Sequence, residues 1–131
     1  MKLEDLIPFE QILEEELRDP EFRAEWERLA PARAVANRLI LYRAEHGLTQ
    51  TALGRRLGMP QSAIARLEIG EHIPTLSTLL KLTDVLGLEI LVTMTPPGQD
   101  RNGSVQEDLL QARVKEQVTT PGGASLTIAI R

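Results

Sequence analysis

The chain has 131 residues, enough for one domain with appendages but too few for two large cores. It has no cysteine, which excludes disulfide bonds, thiolate nucleophiles and cysteine-based zinc sites, and aromatic residues make up only 3% of it, so aliphatic side chains must build the interior. No apolar run is as long as a membrane span and the first residues lack the regions of a signal peptide, so we expect a cytoplasmic protein.

The formal net charge of −4 is unevenly distributed along the chain. Residues 1–30 contain ten acidic and four basic side chains, whereas residues 31–95 contain seven basic and five acidic ones. The acidity is therefore confined to the N-terminal segment. The mildly basic middle is suited to local contacts with phosphate groups but predicts weak non-specific binding to nucleic acid.

The N-terminal segment predicts two short amphipathic helices. The first, over residues 9–17, has aliphatic side chains on one face and a run of three glutamates on the other. The pair Asp19-Pro20 can end this helix and begin the next, over residues 20–30, because Asp is a good N-cap and Pro is tolerated in the first turn. Phe22 and Trp26 follow at helical spacing, so this second helix holds two of the few aromatic residues.

Three further helices are predicted in the middle of the chain. Residues 32–46 form a long helix that Gly47 ends. Two short amphipathic segments then flank Gly58-Met59-Pro60, a break too short for anything except a sharp helix-to-helix turn. Thr49 is a suitable N-cap for the first segment, and Gln61 begins the second.

The second short segment has two distinct faces. Ile64 and Leu67 lie three apart on one face, which leaves Gln61, Ser62 and Arg66 on the other, together with Ala65. Gln and Arg are the side chains that pair bidentately with adenine and guanine edges in a major groove. The pattern therefore indicates a helix-turn-helix element that reads DNA.

The remainder of the chain mixes one helix with β-rich segments. Thr75 caps a helix that Gly87 ends. Residues 88–95 predict a strand, residues 96–104 a linker, residues 105–118 a marginal helix, and residues 125–131 a half-buried strand. A lone strand has unpaired edges, so we expect the two strands to pair with each other or across a dimer.

The pattern of helix-capping and turn residues within residues 34–87 resembles that of the Xre/Cro family of phage-repressor-like domains. The matching features are Thr49-Gln50 opening one helix, Leu-Gly before the turn, Gln61-Ser62 opening the next helix, Leu67-Glu68 closing it, and Gly70 followed by Pro74-Thr75-Leu76. The resemblance implies a mainly α fold: a five-helix helix-turn-helix domain over residues 31–87, preceded by an N-terminal helical arm, residues 1–30, and followed by a small β element in a tail, residues 88–131, that serves dimerisation.

The same resemblance implies roles for individual residues. Gln61, Ser62 and Arg66 correspond to base-contacting positions, whereas Thr49, Gln50, Thr75 and Ser77 correspond to positions that contact the DNA backbone. For Thr75 and Ser77, a role in capping the following helix is an equally good interpretation. Pro60 departs from the polar residue often found before the recognition helix, which places any contact from that position in doubt.

The order of acidic arm, Xre-type domain and β-rich tail resembles HigA-type antitoxins of type II toxin–antitoxin pairs. The resemblance implies a homodimer that binds double-stranded operator DNA, represses its own operon and neutralises a RelE-like, mRNA-cleaving toxin. The acidic arm suits a basic toxin, and the toxin-binding candidates are Glu14, Glu15, Glu16, Phe22 and Trp26. The alternatives are that the glutamates are simply a solvated helix face, and that the chain is a stand-alone Xre-family regulator without a toxin.

The sequence gives little support for an enzyme. His46 and His72 are the only histidines and lack metal-ligand spacing, and no Gly-rich phosphate loop follows a strand. The carboxylates of the arm lie on an exposed helix, without the burial that shifts a catalytic pKa. We therefore expect no enzyme activity, no metal site and no cofactor.

Overall fold

The computed structural model describes residues 8–96 and 113–130, which form six helices and one three-stranded sheet. The elements are α1 (Phe9–Glu16), α2 (Pro20–Arg28), α3 (Ala30–His46), α4 (Gln50–Leu57), α5 (Gln61–Ile69), α6 (Leu76–Leu86), β1 (Leu88–Met94), β2 (Val114–Thr119) and β3 (Ala124–Ile130). The predicted fold class is confirmed: a mainly helical chain with a helix-turn-helix domain, an N-terminal helical arm and a small β element. The domain over residues 31–87 contains four helices, α3 to α6, where five were predicted, because the remaining two helices belong to the arm.

The helix boundaries follow the capping signals of the sequence. Asp19, Thr49 and Thr75 each accept a hydrogen bond from a backbone N–H in the first turn of the following helix. The α3 helix begins at Ala30, two residues before the predicted start, because Pro31 lies in the first turn, where its missing N–H costs no hydrogen bond.

The sheet has the strand order β1-β3-β2, and both pairings are antiparallel. Ile90 lies opposite Ile128, so the two strands predicted at 88–95 and 125–131 pair within one chain. The prediction of a marginal helix over 105–118 is wrong for residues 114–118, which belong to β2, because pairing with β3 outweighs a weak helical pattern. Residues 105–112, residue 131 and the predicted linker after Pro96 lie outside the described residues.

One hydrophobic core joins the helices to the sheet. Its fully buried side chains include Leu39, Leu53, Ile64 and Leu82 from four helices and Ile128 from β3. The α3 helix packs on β2 and β3, and α6 packs on β1. The sheet thus covers part of the core of the helical domain. No helix among the described residues combines the length and apolar character required to cross a bilayer.

Candidate nucleic-acid interface

The turn between α4 and α5 is held at close range. Gly58 ends α4 in the left-handed conformation, and the backbone N–H of Met59 donates to the carbonyl oxygen of Gly54 at 2.8 Å. A Cβ at Gly54 would collide with the carbonyl oxygen of Met59, so this position has no room for a side chain. Pro60 occupies the N-cap position of α5. The close contact fixes the angle at which α5 leaves the turn.

The outer face of α5 carries the predicted base-contacting residues. Gln61, Ser62 and Arg66 are exposed, whereas Ile64, on the opposite face, is completely buried between the helices. Ala65 is half-buried. The structure therefore brings the three candidate side chains together on one accessible face of a helix that the core holds in place.

A chain of hydrogen bonds orients Gln61. Its Nε2 donates to Oε1 of Gln50 at 2.7 Å, and Nε2 of Gln50 donates to Oε2 of Glu68 at 3.3 Å. Gln61 has two N–H donors and one carbonyl acceptor, so this contact leaves one N–H and the carbonyl oxygen free. One donor and one acceptor are the groups that a glutamine presents to adenine N7 and N6.

This series of hydrogen bonds ends at a partly buried ion pair between Arg43 and Glu68, which was not predicted from the sequence. Arg43 donates from Nε to Oε1 of Glu68 at 3.0 Å and from Nη2 to the same oxygen at 2.6 Å, and its Nη1 donates to the carbonyl oxygen of Leu48 at 3.2 Å. The Glu68 side chain is only 6% exposed. Helical spacing gave a sequence signal for the partial burial of both charges. Arg43 follows the buried Leu39 by four positions, and Glu68 follows the buried Ile64 by four positions, so each charge lies on the buried face of its helix.

Ser62 and Arg66 line a shallow groove between α5 and the segment that leads into α6. His72, Pro74 and Thr75 form the other wall of this groove. The structure therefore places two base-contacting candidates beside one of the predicted DNA-backbone contacts.

The candidate backbone contacts lie at two helix N-termini. Thr49 Oγ1 accepts from the N–H of Ala52 at 3.0 Å and Thr75 Oγ1 accepts from the N–H of Thr78 at 3.2 Å, so both hydroxyl groups cap their helices. Ser77 is exposed in the first turn of α6, and Gln50 is half-buried in the first turn of α4. Helix N-termini of this kind attract phosphate through backbone N–H groups and the helix dipole.

The toxin-binding candidates divide between two helices. Glu14, Glu15 and Glu16 are exposed on α1, whereas Phe22 and Trp26 stack on each other on α2, with ring centroids 6.1 Å apart. The guanidinium of Arg33, in α3, lies 3.7 Å from the centre of the Trp26 ring, and burial lowers the pKa of this arginine. The aromatic pair is thus half-buried against the domain, while the glutamates remain in solvent.

The described residues contain no cluster of three or more histidine and carboxylate side chains placed to hold a metal ion. His46 is exposed, stacks on Tyr42 with ring centroids 4.0 Å apart, and has its Nδ1 2.9 Å from the carbonyl oxygen of that residue. Its position is that of a side chain packed at the end of α3.

Comparison with known proteins identifies the domain. The sequence model described as Helix-turn-helix matches residues 39–92, which include α4, α5 and α6. An uncharacterised HTH-type transcriptional regulator of Methanocaldococcus jannaschii is 37% identical over 54 residues, a segment that covers 41% of this chain and 82% of that protein. The chain therefore belongs to the Xre-type helix-turn-helix family of transcriptional regulators.

Proposed function

We propose that this regulator is the DNA-binding antitoxin of a type II toxin–antitoxin system. In this proposal a dimer binds operator DNA through residues 31–87 and represses its own operon. The arm, residues 1–30, helps to neutralise a RelE-like, mRNA-cleaving toxin, and the tail, residues 88–131, supports dimerisation. The observation that carries the DNA-binding role is the exposed face of α5, where Gln61 is oriented by Gln50 and keeps one donor and one acceptor free.

The DNA-binding role predicts that substitutions on the exposed face of α5 weaken promoter binding. Gln61→Ala or Arg66→Ala should each cost roughly 1–3 kcal/mol in binding to the promoter of the protein's own operon and should relax base preference. Fluorescence anisotropy with promoter fragments that differ at single base pairs measures both effects. Arg23→Ala, which removes the same charge from an exposed position on α2, is the matched control. Unchanged affinity and base preference in both α5 variants would rule out this recognition face.

The toxin-binding role is supported by the composition and exposure of the arm. Residues 1–30 contain ten acidic and four basic side chains, a charge complementary to a basic toxin. The α1 helix exposes Phe9 and Ile12 as well as its glutamates, so it offers apolar contacts beside the charged ones. An amphipathic helix of this kind can lie in a groove on a protein partner.

The decisive experiment for the toxin role uses the product of the gene adjacent to the gene for this regulator. The regulator and this neighbouring protein should co-purify when they are co-expressed, and addition of the regulator should stop mRNA cleavage by the neighbouring protein in vitro. A neighbouring protein that neither binds the regulator nor cleaves mRNA would exclude the antitoxin role. It would leave the DNA-binding role intact.

A second candidate function is a stand-alone Xre-family regulator. The observation in its favour is that Phe22 and Trp26 already pack within the chain, where Trp26 covers the guanidinium of Arg33. In that case the arm stabilises the domain, and the promoter experiments above give the same results without any toxin.

A further inference from the structure

A cavity of about 370 Å³ lies where the helices meet the sheet, and this volume is within the range of small-molecule sites. One wall belongs to α3, and the other is formed by the junction of α6 with β1 and by the end of β3. The side chains that matter here are Arg38, Tyr42 and His46 on the first wall and Val85, Leu88 and Ile130 on the second. This junction cavity shares no lining residue with the groove beside α5.

Both walls of the junction cavity are held in place by contacts within the chain. The hydroxyl oxygen of Tyr42 accepts a hydrogen bond from Nη1 of Arg56, in α4, at 3.1 Å, and the Tyr42 ring stacks on His46 with ring centroids 4.0 Å apart. On the other wall, Leu88 lies opposite Ile130 in the sheet, so strand pairing sets their positions. Because other interactions already position the lining, little conformational freedom would be lost when a ligand fills the cavity.

Arg38 is the most deeply buried charged side chain of the lining. It is only 13% exposed, whereas Glu45 and His46 are exposed at the rim. Its Nε is buried and has no hydrogen-bond partner among the described residues, since Oε1 of Glu116, with which it forms an ion pair, is 3.7 Å away. Glu116 thus compensates the charge of Arg38 without accepting a hydrogen bond from its Nε. A buried guanidinium in this condition favours an additional acceptor.

The rest of the lining distinguishes between classes of anionic ligand. Val85, Leu88 and Ile130 offer an aliphatic surface that suits a hydrocarbon body. Val85 also lies in the last turn of α6, whose C-terminal end carries a partial negative charge, and Glu45 adds a full negative charge at the rim. Both features oppose a doubly charged phosphate, whereas a single carboxylate deep in the cavity requires only the guanidinium of Arg38.

We propose that the junction cavity binds a small aliphatic monocarboxylate. The carboxylate accepts hydrogen bonds from the terminal N–H groups of Arg38, since Nε is already covered by protein. The hydrocarbon chain packs on Val85, Leu88 and Ile130. The site lies outside the predicted contacts with DNA and toxin, so the proposal goes beyond the proposed function and does not depend on it.

A heteronuclear NMR titration of the full chain tests the proposal, with isocaproate as the probe. The backbone amide of Gly87, a residue of the cavity lining, reports binding, and that of Gly123, at the opposite end of β3 from Ile130, is an internal reference. We expect a saturable shift of the Gly87 signal and no shift of the Gly123 signal. Acetate, which lacks most of the hydrocarbon body, and isocaproamide, which lacks the charge, should each bind at least ~10-fold more weakly.

Two substitutions in the cavity are compared with two matched controls. Arg38→Lys keeps the charge but removes the planar guanidinium, and Val85→Glu places a carboxylate on the aliphatic wall, at a position that is 39% exposed. The controls are Arg23→Lys, exposed on α2, and Leu41→Glu, at a 43% exposed position on α3 that is not part of the lining. We expect each cavity variant to weaken isocaproate binding at least ~10-fold and both controls to bind as the wild type does.

Three outcomes would overturn the proposal. The first is a Gly87 signal that shows no saturable shift at millimolar isocaproate, or one that shifts no more than the Gly123 signal. The second is equal binding of isocaproate and isocaproamide, which would exclude the role of Arg38. The third is undiminished binding in either folded cavity variant. Circular dichroism verifies folding, and Val85→Glu is decisive if Arg38→Lys does not fold.

Discussion

At the scale of single residues, the side chains predicted to contact DNA are connected to an ion pair that lies behind them. Glu68 receives hydrogen bonds from Arg43 of α3 and from Gln50 of α4, and Gln50 in turn receives one from Gln61. One carboxylate on α5 therefore connects three helices and sets the orientation of the predicted base contact. We expect this charge to influence both the orientation of Gln61 and the stability of the domain.

Replacement of Glu68 should show the cost of disrupting this pair. Glu68→Gln keeps the shape of the side chain but leaves the half-buried Arg43 guanidinium without its counter-ion, so we expect a loss of about 2–4 kcal/mol in the free energy of unfolding. Urea denaturation followed by circular dichroism measures this loss. The control is Glu71→Gln, at an exposed position just beyond α5. Equal stability of the two variants would show that the pair contributes nothing.

At the scale of elements, the helix-turn-helix depends on two glycines for different reasons. Gly58 has φ +65° and open space around its Cα, so an alanine there meets only backbone strain. Gly54 has ordinary helical geometry, but a Cβ there would collide with the carbonyl oxygen of Met59. The first constraint is local, whereas the second changes how α5 is positioned.

We expect this difference to appear in both stability and DNA binding. Gly58→Ala should cost ~1–2 kcal/mol and leave promoter affinity unchanged once the protein is folded. Gly54→Ala should cost more, about 2–4 kcal/mol, because backbone must move to relieve the collision, and should also weaken promoter binding. Thermal denaturation and anisotropy titrations measure the two effects. If Gly54→Ala were the milder change in both assays, the close contact in the turn would not matter.

The contact between α3 and β2 should make stability depend on pH. Burial raises the pKa of Glu116, and neither the nearby Arg38 guanidinium nor the hydrogen bond from Asn37 fully offsets this. The folded chain therefore binds this proton more tightly than the unfolded chain between the ordinary glutamate pKa of 4.5 and the raised value. The stability that this group contributes is fully present below pH 4.5 and is lost as the pH rises through that interval.

Glu116→Gln removes the titrating group and should abolish this contribution. As the pH is raised from about 4 to about 7, the unfolding free energy of the wild type should fall relative to that of the variant. Urea denaturation at a series of pH values gives the difference directly. Lys115→Gln, an exposed neighbour on β2, serves as the control. Parallel profiles for wild type and Glu116→Gln would contradict the raised pKa.

How much the sequence predicts varies between elements. The helices of the middle domain were predicted because their signals are local, such as the Thr49 and Thr75 caps. Strand β2 was not, because its polar residues become a strand only through pairing with β3, a contact that local patterns do not encode. The exposed face of α5 followed from helical periodicity. The ion pair of Arg43 and Glu68 did not, since its partners are 25 residues apart.

At the scale of the whole molecule, acidic and basic side chains are concentrated in separate regions of one chain. The glutamates of α1 and the Arg66 side chain of α5 are both exposed, as the proposed contacts with a toxin and with DNA require. The α2 helix connects these two regions. At one end Asp19 caps its N-terminus, next to α1, and further along Trp26 packs on Arg33 of α3. A cut before Asp19 therefore separates the acidic helix from the part of the arm that packs on the domain.

Deletion of residues 1–18 tests whether the acidic helix serves toxin binding. The shortened chain keeps the Asp19 cap and the stacked Phe22 and Trp26, so folding and promoter binding should be retained. Because the deletion removes attraction to a basic partner, association with the neighbouring gene product should be slower and should depend less on salt concentration. Stopped-flow measurements at low and high salt give the rate and its salt dependence.

A substitution variant of the full-length chain separates charge from contact area. Replacement of Glu14, Glu15 and Glu16 by glutamine keeps the length and the apolar face of α1 while it removes three exposed charges. If charge alone matters, this variant should reproduce much of the slower, less salt-dependent association of the deletion. If Phe9 and Ile12 also contact the toxin, only the deletion should additionally raise the dissociation rate, because apolar contacts act mainly on that rate. Association that is unchanged in rate, affinity and salt dependence in both variants would show that α1 is a solvated surface and that any toxin binds elsewhere.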